Sequence, residues 1–164
     1  MAVRLPYRKG VVCVIFKGNR FLLVQRPGWK GNWWKFPQGG VNNSETDEEA
    51  VARELCEELN ISKFKILAKS KYIYQYDWPT KIIAKNYNKW KGQRQSFYFV
   101  KCLGRKSEIT ITEPSEICRF RLVEKDELSP LISHRAKVFE GYREVVEKVL
   151  KEFEEMRKWR KFAK

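Results

Sequence analysis

The chain has 164 residues, and 34 Lys and Arg residues against 20 Asp and Glu residues give it a net charge of +14 at pH 7. This length favours one domain over residues 1–164, and a hydrophobic fraction of 43% excludes an intrinsically disordered chain. No apolar run approaches the ~20 residues that span a bilayer, and the N-terminus lacks a signal-peptide pattern. The four cysteines are scattered, without a CxxC pair. We therefore expect a cytoplasmic protein with no zinc site, no disulfide framework, no membrane association and no obligate protein partner.

The basic and acidic residues are segregated along the chain. Residues 1–44 contain eight Lys or Arg residues and no acid, and residues 59–107 contain twelve Lys or Arg residues and one acid. Between these segments lie seven acidic residues, from Glu45 to Glu58. Basic segments of this kind attract polyanions such as nucleotides, polyphosphates or RNA, although a plain solubilising surface has the same composition. The acidic segment needs an explanation of its own.

The hydrophobic pattern predicts a mixed α/β chain with strands on both sides of a central helix. A β-branched run at 10–16 turns at Gly18 and Asn19 into residues 20–26, which predicts a hairpin. In chain order, the other predicted elements are a short strand at 33–37, a helix at 46–59, a long strand at 64–78, a basic loop at 79–93, strands at 95–103 and 117–123, a helical turn at 124–128 and a C-terminal helix at about 136–160. An apolar stripe that includes Phe139 and Met156 supports the last helix.

The central helix has recognisable ends and two distinct faces. Thr46 and Glu49 form a predicted capping box, and Asn60 tolerates the left-handed conformation that ends a helix. At about 100° per residue, the inward arc comprises Val51, Ala52, Leu55 and Leu59. A neighbouring arc comprises Glu54, Glu57 and Glu58.

Three carboxylates on one helix face repel each other unless a cation joins them. An ordinary solvated face predicts a Lys or Arg four residues after each of these acids, and none is present. Clustered carboxylate oxygens suit Mg²⁺ or Mn²⁺ better than zinc. Such ions stabilise the charge that develops in phosphoryl or pyrophosphoryl transfer. The acidic face therefore predicts a metal site rather than a surface that balances a basic protein.

The residues around this helix complete a known pattern. The Nudix hydrolase signature is G-x5-E-x7-R-E-U-x-E-E-x-G-U, where U is aliphatic. This chain matches eight of the nine fixed positions at the required spacing, namely Gly39, Glu45, Arg53, Glu54, Leu55, Glu57, Glu58 and Ile61. Asn60 stands where Gly is expected, a mild departure because Asn also adopts left-handed backbone angles. The chain thus resembles the Nudix hydrolases, and the resemblance implies an α/β/α sandwich with a mixed β-sheet between helices.

The resemblance also implies roles for residues in and around this Nudix box, 39–61. The expected ligands of Mg²⁺, or of Mn²⁺, are Glu54, Glu57, Glu58 and the backbone carbonyl of Gln38. The expected structural positions are Gly39, Gly40 and Glu45. Arg53 would orient a glutamate of the cluster while water attacks phosphorus in a diphosphate linked to another group. The general base varies within the family, and here Glu54 and Glu116 are the two alternatives.

Motifs outside the box resemble one branch of the family, which contains the bacterial RNA 5′-pyrophosphohydrolase and the asymmetric diadenosine tetraphosphate (Ap4A) hydrolases. They are YR at 7–8, WWKFPQGG at 33–40, GQRQSFYF at 92–99 and SHRAKVF at 133–139. The substrate contacts implied by this resemblance are Arg8, Arg26, Lys35, Tyr76, Arg94, His134 and Arg135. His134 stands where the branch has an aromatic that stacks on a base. Each cation fits a plain surface equally well, and Tyr76 fits the alternation of a half-buried strand.

The resemblance implies a pyrophosphohydrolase that cleaves a polyphosphate linkage in a nucleotide substrate. Ap4A and the 5′-triphosphate end of RNA are the leading candidates, and the charge of +14 favours RNA because a longer polyanion contacts more cations. Within the family, the alternatives are a nucleoside-triphosphate sanitising enzyme and an ADP-ribose hydrolase. The alternative of another class is a non-catalytic Nudix module that binds RNA or a nucleotide. Lost glutamates would indicate such a module, and here the metal-binding set is complete.

Overall fold

The structure is a computed structural model that describes residues 4–132 and 140–162, without the side chains of residues 160–162. The strands are β1 (Tyr7–Lys17), β2 (Arg20–Gln25), β3 (Gln38–Gly40), β4 (Phe64–Asp77), β5 (Gly92–Cys102) and β6 (Arg119–Glu124). The helices are α1 (Asp47–Leu59), α2 (Thr80–Lys85), α3 (Lys125–Ile132) and α4 (Tyr142–Phe162), with a short 3-10 helix at Lys106–Glu108. Within the described residues, the strands form one mixed sheet of order β4–β5–β1–β2–β6, and β3 pairs with β1.

Strand β1 organises the core because both of its faces are buried. It runs parallel to β5 and antiparallel to β2 and β3. On one face, Val12 and Val14 pack with side chains of α3 and α4, and on the other face, Val11 and Cys13 pack with α1. Helices therefore cover both faces of the sheet, and the predicted α/β/α sandwich with a mixed sheet is confirmed.

The predicted ends of the central helix are confirmed. Thr46 and Glu49 make both bonds of the capping box, and Asn60 has a φ of 55° in the left-handed region. The buried face differs slightly from the predicted one, since Ala50 is fully buried and Ala52 only partly so. The glutamates on the neighbouring arc are thereby fixed relative to the sheet.

The prediction of a strand at 33–37 was wrong. Lys35 makes only an isolated bridge to Val24, and Pro37 has no N–H with which to extend a ladder. Pairing moves on to β3, whose glycines lie close against β1. A Cβ on Gly10 would lie 3.1 Å from the carbonyl oxygen of Gly39. Gly39 and Gly40 therefore belong to β3, whereas the predicted strand ended at residue 37 and left both glycines after it.

Two other predicted boundaries were also wrong. Residues 79–93 contain the helix α2 rather than only a loop, because Pro79 fixes a φ of −56° before a run without helix breakers. The C-terminal helix begins at Tyr142 and not near residue 136, since Glu140 and Gly141 form a turn in which Gly141 has a φ of 78°. Phe139 lies outside the described residues. None of the described helices is long and apolar enough to cross a membrane.

Candidate active site

A cleft of about 1140 Å³ collects most of the residues expected at the site. The predicted residues that line it are Arg8, Arg26, Lys35, Gln38, Gly39, Gly40, Glu54, Glu57, Glu58, Tyr76 and Glu116. They come from β1, β3, α1 and β4, and from the segments that flank β2 and β6. The cleft therefore brings the acidic face of α1 together with Arg8, Arg26 and Lys35, for which the family resemblance implied substrate contacts.

Arg53 connects the start of the Nudix box to α1. Its guanidinium donates to both carboxylate oxygens of Glu45, at 2.7 and 3.0 Å, and to the carbonyl of Gly40 at 2.8 Å. It also donates to Glu54 at 2.8 Å and to Glu57 at 3.4 Å. The hydrogen bond from Arg53 holds the pKa of Glu45 below its usual value. Arg53 is therefore placed to orient the glutamates, and Glu45 to brace Arg53.

Glu54 lies directly against the backbone of Gly39. A Cβ built on Gly39 would lie 2.0 Å from the carboxyl carbon of Glu54, so no other residue fits there while Glu54 keeps its place. Burial raises the pKa of Glu54, and this effect outweighs the opposing hydrogen bond from Arg53. The glycine thus provides the space in which a partly buried carboxylate is held.

We expect Gly39→Ala to lower turnover by about 100-fold, because the added methyl group would displace the Glu54 carboxylate by more than an ångström. Gly31→Ala is the matched control, since nothing lies within 4 Å of a Cβ there. Steady-state turnover and thermal unfolding of both variants would be compared with the wild type. Turnover of Gly39→Ala within twofold of the control would contradict this role for Gly39.

The other two expected metal ligands of α1, Glu57 and Glu58, differ in exposure. Glu58 is 9% exposed, and burial, with the negative charge of Glu54, raises its pKa to about 7. The side chain of Glu57 is 61% exposed. The helix end that holds both is anchored, because Thr112 donates its N–H to the carbonyl of Glu58 at 3.1 Å and its hydroxyl to that of Glu57 at 2.5 Å.

The donor set fits a hard divalent cation. The side chains in the cleft offer carboxylate oxygens, which are the ligands that such ions prefer, and Glu54, Glu57 and Glu58 all line the cleft. As the side chains stand in 4–132 and 140–162, no group of three or more His, Cys, Asp or Glu residues is close enough to hold an ion. The exposed side chain of Glu57 can change rotamer without disturbing the core.

The cations in the cleft have different environments. Lys35 is 7% exposed, and burial, with the nearby charge of Arg26, lowers its pKa to about 7. Its Nζ lies 5.3 Å from the centre of the Trp29 ring. Arg26 forms an ion pair with Glu116 at 2.7 Å. Both alternatives for the general base are therefore bonded to an arginine, Glu54 to Arg53 and Glu116 to Arg26.

One predicted substrate contact does not line the cleft, and two others cannot be placed relative to it. Arg94 does not line it and instead donates to the side chain of Gln75 at 2.8 Å. Residues alternate along a strand, so Arg94 faces away from its neighbour Gln93, which lines the cleft. His134 and Arg135 lie outside the described residues.

The sequence did not reveal the aromatic part of the cleft. The unpredicted lining residues include Trp29, Tyr74, Trp78, Gln93 and Tyr142. The rings of Tyr74 and Tyr76 stack at 4.7 Å, and the hydroxyl of Tyr76 donates to Gln93 at 2.7 Å. Alternation of the tyrosines along β4 indicated a shared face, but it did not indicate that one end of that face opens into the cleft.

Comparison with known proteins places this chain in a family. The chain matches the NUDIX domain over residues 6–149. It is 35% identical over 156 residues to RNA pyrophosphohydrolases from Rickettsia conorii and Rickettsia bellii, which covers 93% of this chain and 92% of each relative. E. coli dihydroneopterin triphosphate pyrophosphohydrolase superposes with a TM-score of 0.61 at 16% identity, over 87% of this chain and 99% of that one. A C. elegans Ap4A hydrolase superposes with a TM-score of 0.59 at 18% identity, over 87% and 97% of the two chains.

The two structural likenesses concern the fold, which agrees with the sandwich described above. The organisation of residues 1–164 as one domain stays a prediction. The family match covers most of the chain, and the curated relatives align over nearly their whole length. The chain therefore belongs to the Nudix family of hydrolases, as its signature predicted.

Proposed function

We propose that this chain is an Mg²⁺-dependent pyrophosphohydrolase that acts on the 5′-triphosphate end of RNA. The observation that supports this best is one cleft that contains the three proposed metal ligands, Glu54, Glu57 and Glu58, together with Arg8, Arg26 and Lys35. The relation to the Rickettsia RNA pyrophosphohydrolases supports RNA as the substrate. The four cysteines are free thiols, which fits a reducing cytoplasm as the place of action.

Glu54, Glu57, Glu58 and the carbonyl of Gln38 would hold the metal. Nudix hydrolases generally use a divalent ion, and here Mg²⁺ is the proposal, with Mn²⁺ as an alternative of the same coordination chemistry. Bound at this site, the ion would neutralise phosphate charge and favour attack at phosphorus. Arg53 keeps Glu54 in place, and Arg8 and Arg26 offer positive charge to the polyphosphate. A phosphate in the cleft would favour the protonated form of Lys35, whose pKa is about 7.

In the proposed reaction, a water oxygen attacks phosphorus and the anhydride P–O bond breaks. Pyrophosphate leaves with the anhydride oxygen, RNA keeps a 5′-monophosphate, and the water proton passes to a carboxylate. Glu54 is our choice of base because it lies in the cleft and the hydrogen bond from Arg53 fixes its carboxylate there. Glu116, which also lines the cleft, is the rival.

Ap4A is the second candidate substrate. The cleft volume of about 1140 Å³ exceeds that of an ordinary small-ligand pocket. Its aromatic side chains include Trp29, Tyr76 and Trp78, which offer more than one surface on which an adenine could stack. Both candidate substrates, Ap4A and triphosphorylated RNA, contain a base and a polyphosphate whose anhydride linkage water can attack.

A substrate panel tests this proposal. Purified protein with Mg²⁺ would be incubated with 5′-triphosphorylated RNA, Ap4A, dNTPs and ADP-ribose, and the products identified by mass spectrometry. We expect pyrophosphate and 5′-monophosphorylated RNA from the first substrate. Hydrolysis of dNTPs or ADP-ribose, with RNA and Ap4A intact, would overturn the substrate assignment. Binding without hydrolysis of any substrate would indicate the non-catalytic module instead.

A further inference from the structure

Residues 78–91, between β4 and β5, form one rim of the cleft. The cleft-lining residues of this segment are Trp78, Pro79, Ile82, Lys85 and Asn86. The helix within it, α2, is fully described and has no buried residue. This rim is therefore a helical surface that contributes little to the core, so its composition is not dictated by packing.

The segment is basic and has no compensating acids. It contains Lys81, Lys85, Lys89 and Lys91 and no Asp or Glu. Among the described residues, none of these four lysines has an ion-pair partner, whereas Lys63 pairs with Glu108 at 2.9 Å. Lys89 and Lys91 lie over aromatic rings, those of Trp90 and Tyr7. Lys81 and Lys85 are left as uncompensated cations on α2.

An exposed aromatic side chain lies two residues beyond the end of α2. Tyr87 is 89% exposed and has a φ of 55°, and Asn88 has a φ of 54°. Left-handed backbone angles are uncommon for a bulky residue such as Tyr, and its ring does not contribute to the core. A solvent-facing aromatic beside lysines is the combination that binds single-stranded nucleic acid, because every base offers a stacking face.

The rim is physically continuous with the phosphate-binding part of the cleft. Arg8 lies 5.4 Å from the centre of the Trp90 ring, and a Cβ on Gly40 would lie 2.3 Å from the guanidinium of Arg8. The backbone N–H of Lys91 donates to the carbonyl of Pro6 at 3.0 Å. Arg8 therefore connects the Nudix box to the segment 78–91.

We propose that residues 78–91 bind the RNA chain that follows the triphosphorylated nucleotide. Lys81 and Lys85 contact its phosphates, and Tyr87 stacks on an unpaired base. This inference rests on the proposed function, because a polynucleotide whose 5′ end lies at the glutamates has to leave the cleft across a rim. The uncompensated charge and the exposed ring fit an RNA strand, and a mononucleotide is too short to use them.

The test compares binding by two variants, Lys81→Gln/Lys85→Gln and Tyr87→Asn. Asn tolerates the left-handed backbone at residue 87, so the second variant removes the ring and keeps the turn. The control is Lys148→Gln/Lys151→Gln, which removes two exposed lysines of α4 that do not line the cleft. The probe is a 5′-monophosphorylated single-stranded RNA of about ten nucleotides, which is a product and needs no turnover. Fluorescence anisotropy gives its Kd, and competition gives that of a nucleoside monophosphate.

We expect the lysine variant to lower the affinity ratio of RNA over mononucleotide by about fivefold to tenfold, and to reduce the slope of log Kd against log salt by ~1.4. Tyr87→Asn lowers the ratio by about fivefold or more and leaves the slope unchanged. An unchanged ratio in both variants, or an equal fall in the α4 control, would overturn the inference. Failure of the wild type to hydrolyse triphosphorylated RNA would instead overturn the proposed function, since this binding measurement does not depend on catalysis.

Discussion

Glu57→Gln is expected to lower Mg²⁺-dependent turnover by about 100-fold or more while leaving the unfolding temperature nearly unchanged. The side chain of Glu57 is 61% exposed, and its hydrogen bond from Arg53 is long, at 3.4 Å. Removing its charge therefore costs little in folding, because exposed ion pairs contribute little to stability. The same change removes one anionic oxygen donor from the proposed metal site. Steady-state kinetics across a range of Mg²⁺ concentrations, with thermal unfolding of the same samples, would measure both effects.

Glu48→Gln is the matched control for this experiment. Glu48 is exposed, belongs to the same helix and does not line the cleft, so the substitution makes the same change in net charge away from the site. We expect its turnover to stay within about twofold of the wild type. Equal activity of Glu57→Gln and Glu48→Gln would remove Glu57 from the metal site.

Glu58→Gln is expected to abolish turnover and, unlike Glu57→Gln, to stabilise the metal-free protein at neutral and higher pH. Glu58 has a pKa of about 7 in the folded chain, against an ordinary value of 4.5. As pH rises from about 4.5 to 7, the unfolded state therefore loses this proton first, and the stability of the folded state falls. The amide of Gln has no proton to lose in this range, so the stability of the variant does not fall for this reason.

Thermal unfolding in EDTA at about pH 5 and pH 8 tests the prediction for Glu58. The unfolding temperatures of wild type and variant should be close at the lower pH, and the variant should be higher by a few degrees at the higher pH. Mg²⁺ should raise the unfolding temperature of the wild type at pH 8 more than that of the variant, because bound ligand stabilises the folded state. A variant less stable than the wild type at pH 8 in EDTA would contradict the account of Glu58.

The Nudix box could be predicted from sequence because its local rules agree with one another. The capping box at Thr46, the left-handed end at Asn60 and the spacing of the three glutamates all specify the same helix in the same register. The contact with Glu54 explains why residue 39 is Gly. From the sequence, the importance of Gly39 followed only from the resemblance to the Nudix signature. These features depend on residues close together in the chain.

The rest of the cleft could not be predicted because it depends on contacts between distant segments. Arg26 and Glu116 meet only because β2 and β6 pair, and Tyr142 of α4 joins the stacked tyrosines of β4 in the cleft only because α4 packs against that strand. Arg94 was assigned as a substrate contact from a local motif. Its side chain would face the cleft only if the residues of β5 were shifted by one position. The helix α2 was missed because its charge pattern resembles that of a loop.

The measurement that tests the central claim most directly is the release of pyrophosphate from 5′-triphosphorylated RNA by the wild type, with Mg²⁺ and with EDTA. If the glutamates of α1 form a metal site for this reaction, pyrophosphate and monophosphorylated RNA appear in equal amounts with Mg²⁺, and neither appears with EDTA. Equal turnover in Mg²⁺ and EDTA would contradict the metal site itself.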